Sequence, residues 1–252
     1  MRFRPCIDLH QGVVKQIVGS TLGTGRGKPE TNFASSDRSA ADFAALYRRD
    51  NLAGGHVIKL GPGNDEAATN ALGAYPDGLH LGGGITAENA ADWLDKGAAA
   101  VIVTSYVFKE GKLDRDRLEQ LAKEVTASKL VLDLSCARSG DHYVVATERW
   151  QNLTGFVVER ANLEFLADYC CEFLVHATER EGKQQGIDTE LVRLLGSESP
   201  IPTTYAGGIR SMEDIETVRR EGGGRLDYTV GSALDIFGGD VKYDDIVALN
   251  KS

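Results

Sequence analysis

The second half of this chain repeats the first in outline. Asp8 ends the apolar run Cys6-Ile7-Asp8, and Asp133 ends Val131-Leu132-Asp133, 125 positions later. Gly83-Gly84-Ile85 recurs as Gly207-Gly208-Ile209, with Gly84 and Gly208 124 positions apart. Thr104-Ser105 has its counterpart in Gly231-Ser232, the two serines 127 positions apart. Three motifs in one order at nearly one spacing mark a duplicated half rather than chance. The halves divide the chain at roughly 1–127 and 128–252.

Within each half, short β-branched runs alternate with helical patterns. Strands are expected near Phe3–Leu9, His56–Leu60, Leu79–Leu81, Ala100–Thr104, Leu130–Leu134, Phe173–His176, Thr203–Ala206 and Tyr228–Val230. Helices are expected over segments such as Ser39–Asp50, Ala87–Lys96, Asp114–Thr126 and Met212–Glu221, with Thr86 and Ser211 as start signals. Strands that alternate with helices build a parallel sheet. Eight such units in 252 residues suit a single (β/α)₈ TIM barrel with twofold half-barrel symmetry, one domain over 1–252. A doubly wound sheet fits less well, since no G-x-G-x-x-G follows the first strand. Two insertions break the rhythm: Gly19–Ser36 reads as a long mobile loop, and Gly140–Trp150 as a small hairpin.

Composition narrows the partners. A net charge of −9 argues against nucleic acid. The sequence has no apolar run long enough for a membrane span, and no secretory leader is expected from its opening residues. Cys6, Cys136, Cys170 and Cys171 form no C-x-x-C pair, which points to a reduced protein of the cytoplasm. No metal and no cofactor is expected.

The repeated residues all fall at the C-terminal ends of barrel strands, the face on which such barrels keep their active sites. Gly83-Gly84 and Gly207-Gly208 let backbone amides approach an anion, beside the N-terminus of the following helix. Ser105 and Ser232 add hydroxyl donors. Each half would then form one phosphate cradle, and two cradles imply a small-molecule substrate with a phosphate at either end. Asp8 and Asp133 would face one another between them. A lone Gly-Gly is more often a turn, and a lone strand-end aspartate is as often a helix cap. The duplication is what favours the functional reading.

Taken together, CIDLHQG, GGGI, VTS, LDLS, LVHA, AGGI and VGSALDIFGG resemble the ProFAR isomerase family of histidine biosynthesis, eukaryotic branch, over essentially the whole chain. The resemblance implies a (β/α)₈ barrel that converts an aminoaldose to an aminoketose by an Amadori rearrangement. It assigns Asp133 as the general acid that opens the ribose ring and Asp8 as the base that removes the C2 proton. It further matches Trp150 to a tryptophan that covers the substrate, and His176 to a histidine ending the sixth strand. Two carboxyls in unequal environments can take such opposite roles.

The chain departs from the bacterial pattern at Lys59, Thr86 and Thr178, and Lys59 could serve an anionic ligand. Three other readings are open. The cyclase subunit of imidazole glycerol phosphate synthase shares the barrel, but typically has a lysine where this chain has Gln16. Phosphoribosylanthranilate isomerase has a cysteine where Asp8 stands. A catalytically silent phosphate-ester binder on the same scaffold is the third. A monomer is expected.

Overall fold

The computed structural model describes residues 1–17, 30–148, 150–183 and 185–251. Strand β1 (Cys6–His10) turns through Gln11-Gly12 into β2 (Val13–Ile17), which pairs with β3 (Thr31–Ala34). Of the expected mobile loop Gly19–Ser36, the part up to residue 29 lies outside the described residues, and the rest is largely the strand β3. Helix α1 (Ala40–Arg49) starts at Ser39, whose hydroxyl accepts from the Asp42 amide while Asp42 reaches back to Ser39, a reciprocal cap.

Three further βα units follow: β4 (Gly55–Lys59) with α2 (Asp65–Ala74), β5 (Leu79–Gly82) with α3 (Ala90–Asp95), and β6 (Ala100–Val103). A two-stranded ribbon, β7 (Phe108–Lys109) and β8 (Lys112–Leu113), precedes α4 (Arg115–Val125). The third helix starts later than Thr86, because Asn89 uses its side chain to accept from the Thr86 amide and hold a turn there.

The second half opens with β9 (Leu130–Asp133). The expected hairpin is larger than Gly140–Trp150. It is a three-stranded antiparallel sheet of β10 (Cys136–Ser139), β11 (His142–Thr147) and β12 (Asn152–Val157), because Asn152 onward pairs back on β11. Then come α5 (Arg160–Ala167), β13 (Glu172–His176), α6 (Thr189–Glu198), β14 (Thr203–Ala206), α7 (Met212–Glu221), β15 (Leu226–Tyr228) and α8 (Tyr243–Lys251). Ser211 caps α7 as its sequence predicts.

Eight parallel strands among the described residues run in the order β1, β4, β5, β6, β9, β13, β14, β15. A parallel bridge between Phe3 and Tyr228 joins the two ends of this sheet and closes the barrel. The first strand is broken at Pro5, which has no amide to donate, so Phe3 bridges one neighbour and Cys6–His10 pairs with the other. The last strand ends at Tyr228 rather than Val230. It starts early enough to set Asp227 beside Arg4, whose Nε donates to it at 2.8 Å.

Alternation along the strands fills the interior. Ile58, Ala100, Ile102, Val131, Leu174 and Ala206 form a compact apolar cluster inside the barrel. The next inward positions toward the C-terminal ends are Asp8, Asp133 and His176: two residues after Cys6, Val131 and Leu174 on strands of period two. The polar residues that the repeat singled out therefore sit on top of an apolar floor.

Candidate active site

Asp8, Thr104, Ser105, Asp133, Trp150 and His176 line one cavity of about 180 Å³ at the C-terminal ends of the barrel strands. A second, smaller hollow shares Asp8, His176 and Glu181 with it, and its further lining includes Gly207, Gly208, Gly231 and Ser232. Gly83 and Gly84 border neither space. The two Gly-Gly turns thus differ in what they border: the second lines a hollow shared with Asp8 and His176, and the first lines neither of these two spaces.

The conformations of these turns account for the glycines. Gly83 has φ +93°, and a Cβ there would come 2.2 Å from the Lys59 carbonyl oxygen. Gly208 has φ +81°, and its Cβ would meet the Gly186 carbonyl at 2.3 Å. Both positions exclude a side chain by conformation and by contact.

Asp133 is held from two sides. Ser135 Oγ donates to its Oδ1 at 3.1 Å, and His176 Nδ1 donates to the same oxygen at 3.1 Å. Burial alone would lower the proton affinity of His176. The Asp133 carboxylate, together with Glu181 and Asp8, outweighs it and holds the imidazole up at about 9, so His176 is charged at neutral pH. Its ring lies 6.3 Å from that of Trp150 and edge-on to His56 at 6.1 Å. His56 behaves oppositely. Burial and the neighbouring His176 depress it to about 3, leaving it neutral.

Asp8 carries the strongest displacement of a carboxyl toward neutrality. Burial, then the facing Glu181, push it up to about 7, against the pull of His176 and a hydrogen bond from Gln16. Glu181 was not legible as a site residue in the sequence, yet it lines both hollows. It sits in the turn after β13, where its amide donates to the Ala177 carbonyl, and burial raises its carboxyl too. Three carboxyls and one imidazolium converge here, and two of the three carboxyls have raised proton affinities. Such a set can give and take protons near pH 7.

The departures from the bacterial pattern also resolve. Thr178 donates to the Cys136 carbonyl at 3.0 Å rather than to Asp133; Ser135 and His176 do the positioning. Lys59 has partners within the protein. Its ammonium is paired with Asp65 at 2.8 Å and lies 4.0 Å over the Trp93 ring. Thr86 offers its amide to Asn89. Among the described residues no group of three or more His, Cys, Asp or Glu is placed to hold a metal ion.

Comparison with known proteins agrees with this architecture. A family model described as histidine biosynthesis protein matches residues 2–241. The chloroplastic 1-(5-phosphoribosyl)-5-((5-phosphoribosylamino)methylideneamino)imidazole-4-carboxamide isomerase of Medicago truncatula is 52% identical, over 98% of this chain and 81% of that protein. The Neurospora crassa isomerase of the same name is 52% identical, over 94% of this chain and 93% of that protein. The Saccharomyces cerevisiae isomerase is 43% identical, over 99% and 98%. With the match running nearly end to end and the two aspartates on one cavity, the chain belongs to the histidine biosynthesis protein family.

Proposed function

We propose that this protein is the isomerase that converts the aminoaldose ProFAR to the aminoketose PRFAR. The observation that carries the reading is the convergence of Asp8 and Asp133, from corresponding strands of the two halves, on one cavity that opens toward a Gly-Gly turn. The near full-length likeness to isomerases supports it. Nothing in the cavity favours the cyclase or the silent binder.

Asp133 relays a proton from the His176 imidazolium to the ring oxygen, the C1–O bond breaks as the amino nitrogen's lone pair forms the C1=N bond, and the aminoaldose opens to an iminium. His176 is left neutral, and Asp133 ends the step as the carboxylate it began as. Asp8 removes the C2 proton, the C2–H pair becomes the C1=C2 bond, and the C1=N π pair returns to nitrogen to give an enolamine. Ketonisation, with the C2 hydroxyl losing a proton and C1 gaining one, completes the aminoketose. An Asp8 carboxyl near pH 7 is matched to that proton, because a base works best with a pKa near the operating pH. Burial, then the like charge of Glu181, keeps Asp8 there. Gly207, Gly208, Gly231 and Ser232 hold one phosphate. Gly83, Gly84, Thr104 and Ser105 hold the other, and Trp150 covers the substrate between them.

We further read residues 1–252 as one domain acting as a monomer. The large exposed apolar residues Val13, Leu153, Met212 and Leu249 lie on separate elements. Light scattering on the purified protein tests this. A cytoplasmic location is favoured by four unpaired cysteines, three of them buried, and fractionation tests it. The relative in Medicago truncatula is chloroplastic, and no helix among the described residues is long and apolar enough to cross a membrane.

The decisive experiment is a spectroscopic turnover assay with purified ProFAR on the wild type, Asp8→Asn and Asp133→Asn. Turnover that collapses in both variants is expected. A folded wild type that binds ProFAR without turning it over overturns the assignment.

A further inference from the structure

Gln16 is the one polar side chain of β2 that is buried, at 4% exposure, in a strand that lies outside the barrel's parallel order. Its neighbour Lys15 points the other way, and its ammonium lies 3.2 Å from the Nδ1 of His10. Gln16 instead reaches over the end of β1. Its Nε2 lies 3.3 Å from Asp8 Oδ2 and 3.8 Å from the Cys6 sulfur, and it donates to both. Its other amide atom is set against the opposite wall. A Cβ built on Gly231 would fall 2.4 Å from Gln16 Oε1, so the carboxamide fills the space that the missing side chain of Gly231 leaves.

We propose that Gln16 is a positioning residue for Asp8, wedged between Gly231 and the carboxylate so that its carboxamide oxygen rests against Gly231 and its amide nitrogen fixes the base. The inference deepens the isomerase reading and rests on it.

The physical reason is specific. Asp8 stands in a crowd of groups that disfavour its charge or compete for its proton. Glu181 faces it from the loop after β13, and His176 from β13 itself. His56 lies beside His176 from β4, while Cys6 of β1 and Tyr47 of α1 are the neutral acids nearest to it. An amide donor stabilises the ionised carboxylate without adding charge. It therefore keeps Asp8 a usable base in a site whose burial would otherwise hold it protonated. An amide also has direction, so it selects one carboxylate rotamer, which a lysine or a water would fix less well.

The test uses the full chain and two readouts. In Gln16→Met the shape is kept and the donor is lost. Titration of Asp8 by carboxyl carbon NMR, assigned by its disappearance in Asp8→Asn, is expected to move upward by about half to one pH unit. The acidic limb of kcat/KM for ProFAR moves up with it, and kcat at pH 7 falls about fivefold to tenfold. Gln16→Glu, which puts a second anion beside Asp8, shifts both further in the same direction. Gly231→Ala, which displaces the carboxamide, raises the Asp8 titration in the wild-type background and not in Gln16→Ala. An Asp8 titration unchanged in Gln16→Met overturns the proposal, whatever happens to turnover. A wild type without turnover but with the NMR shifts intact sinks the isomerase reading and leaves the Gln16–Asp8 relationship standing.

Discussion

His176 Nδ1 and Asp133 Oδ1 stand 3.1 Å apart, with both side chains nearly enclosed, at 14% and 12% exposure. A charged pair so placed is a proton reservoir rather than a surface ion pair, since little water screens it. The folded-state affinity of His176 is raised to about 9, above the value of about 6.5 for a free imidazole. Its contribution to stability is therefore complete below about pH 6.5 and is lost as pH rises through 9.

The first prediction follows from that sign. The wild type should show an alkaline limb in kcat near pH 9, together with a falling melting temperature over pH 7 to 9. In His176→Gln the limb should vanish and kcat should drop about a hundredfold, because Asp133 is then left without its proton source. A pH–rate profile on both proteins reads this. An alkaline limb that persists in His176→Gln would refute it.

Asp8 follows the same sign, in a lower pH window. Its folded-state affinity is raised to about 7, so the folded protein holds a proton that the unfolded chain releases. Stability from this group is present below the ordinary carboxylate range, near 4, and is lost as pH rises through 7. Asp8→Asn should melt a few degrees higher than the wild type at pH 8 and about equally at pH 4, while turnover falls about a thousandfold. Melting curves at the two pH values, beside the assay, decide it. A variant less stable at pH 8 would show that the buried carboxylate is compensated by its neighbours.

Lys59 separates structure from binding. With Asp65 at 2.8 Å and the Trp93 ring at 4.0 Å, its ammonium is spent on holding the β4–α2 turn against α3. Lys59→Met should lower stability by about 1 kcal/mol, through the lost ion pair and cation–π contact, and leave KM for ProFAR unchanged. Chemical denaturation and steady-state kinetics on one preparation measure both. A KM raised tenfold or more would return Lys59 to the site.

Where the sequence was informative, a local rule and the tertiary structure agreed. Strand period and helix caps locate Asp8, Asp133 and Ser211, and the repeat groups the glycines before any contact is known. What stayed hidden depends on which way a loop turns. Glu179 and Glu181 lie two apart in ATEREGK, alike as charged loop residues, yet Glu179 is exposed and Glu181 turns into the cavity. Gln16 is visible as a polar residue on a buried strand face, but its partner across the barrel mouth comes from Gly231, more than two hundred positions away. The hairpin after β9 grew a third strand because pairing of Asn152–Val157 with β11 is a long-range choice that its turn residues do not encode.

The same limit bears on the two Gly-Gly turns, and it yields the last prediction. Gly84 and Gly208 are equivalent in the repeat, and both have positive φ, +69° and +81°. Their surroundings differ. Nothing lies within 4 Å of a Cβ at Gly84, whereas a Cβ at Gly208 would meet the Gly186 carbonyl at 2.3 Å and the Arg180 side chain at 2.9 Å. Alanine at Gly84 costs only the backbone strain of a left-handed residue, about 1 kcal/mol. Alanine at Gly208 adds a clash with backbone that lies in the turn carrying Glu181 and Gly182, so it must push that turn away from the smaller hollow. Gly84→Ala should therefore raise KM for ProFAR less than about threefold, and Gly208→Ala more than about tenfold, with kcat also falling as Glu181 is displaced from Asp8. Equal effects at the two positions would mean that the asymmetry seen around the carboxylates has no part in holding the substrate.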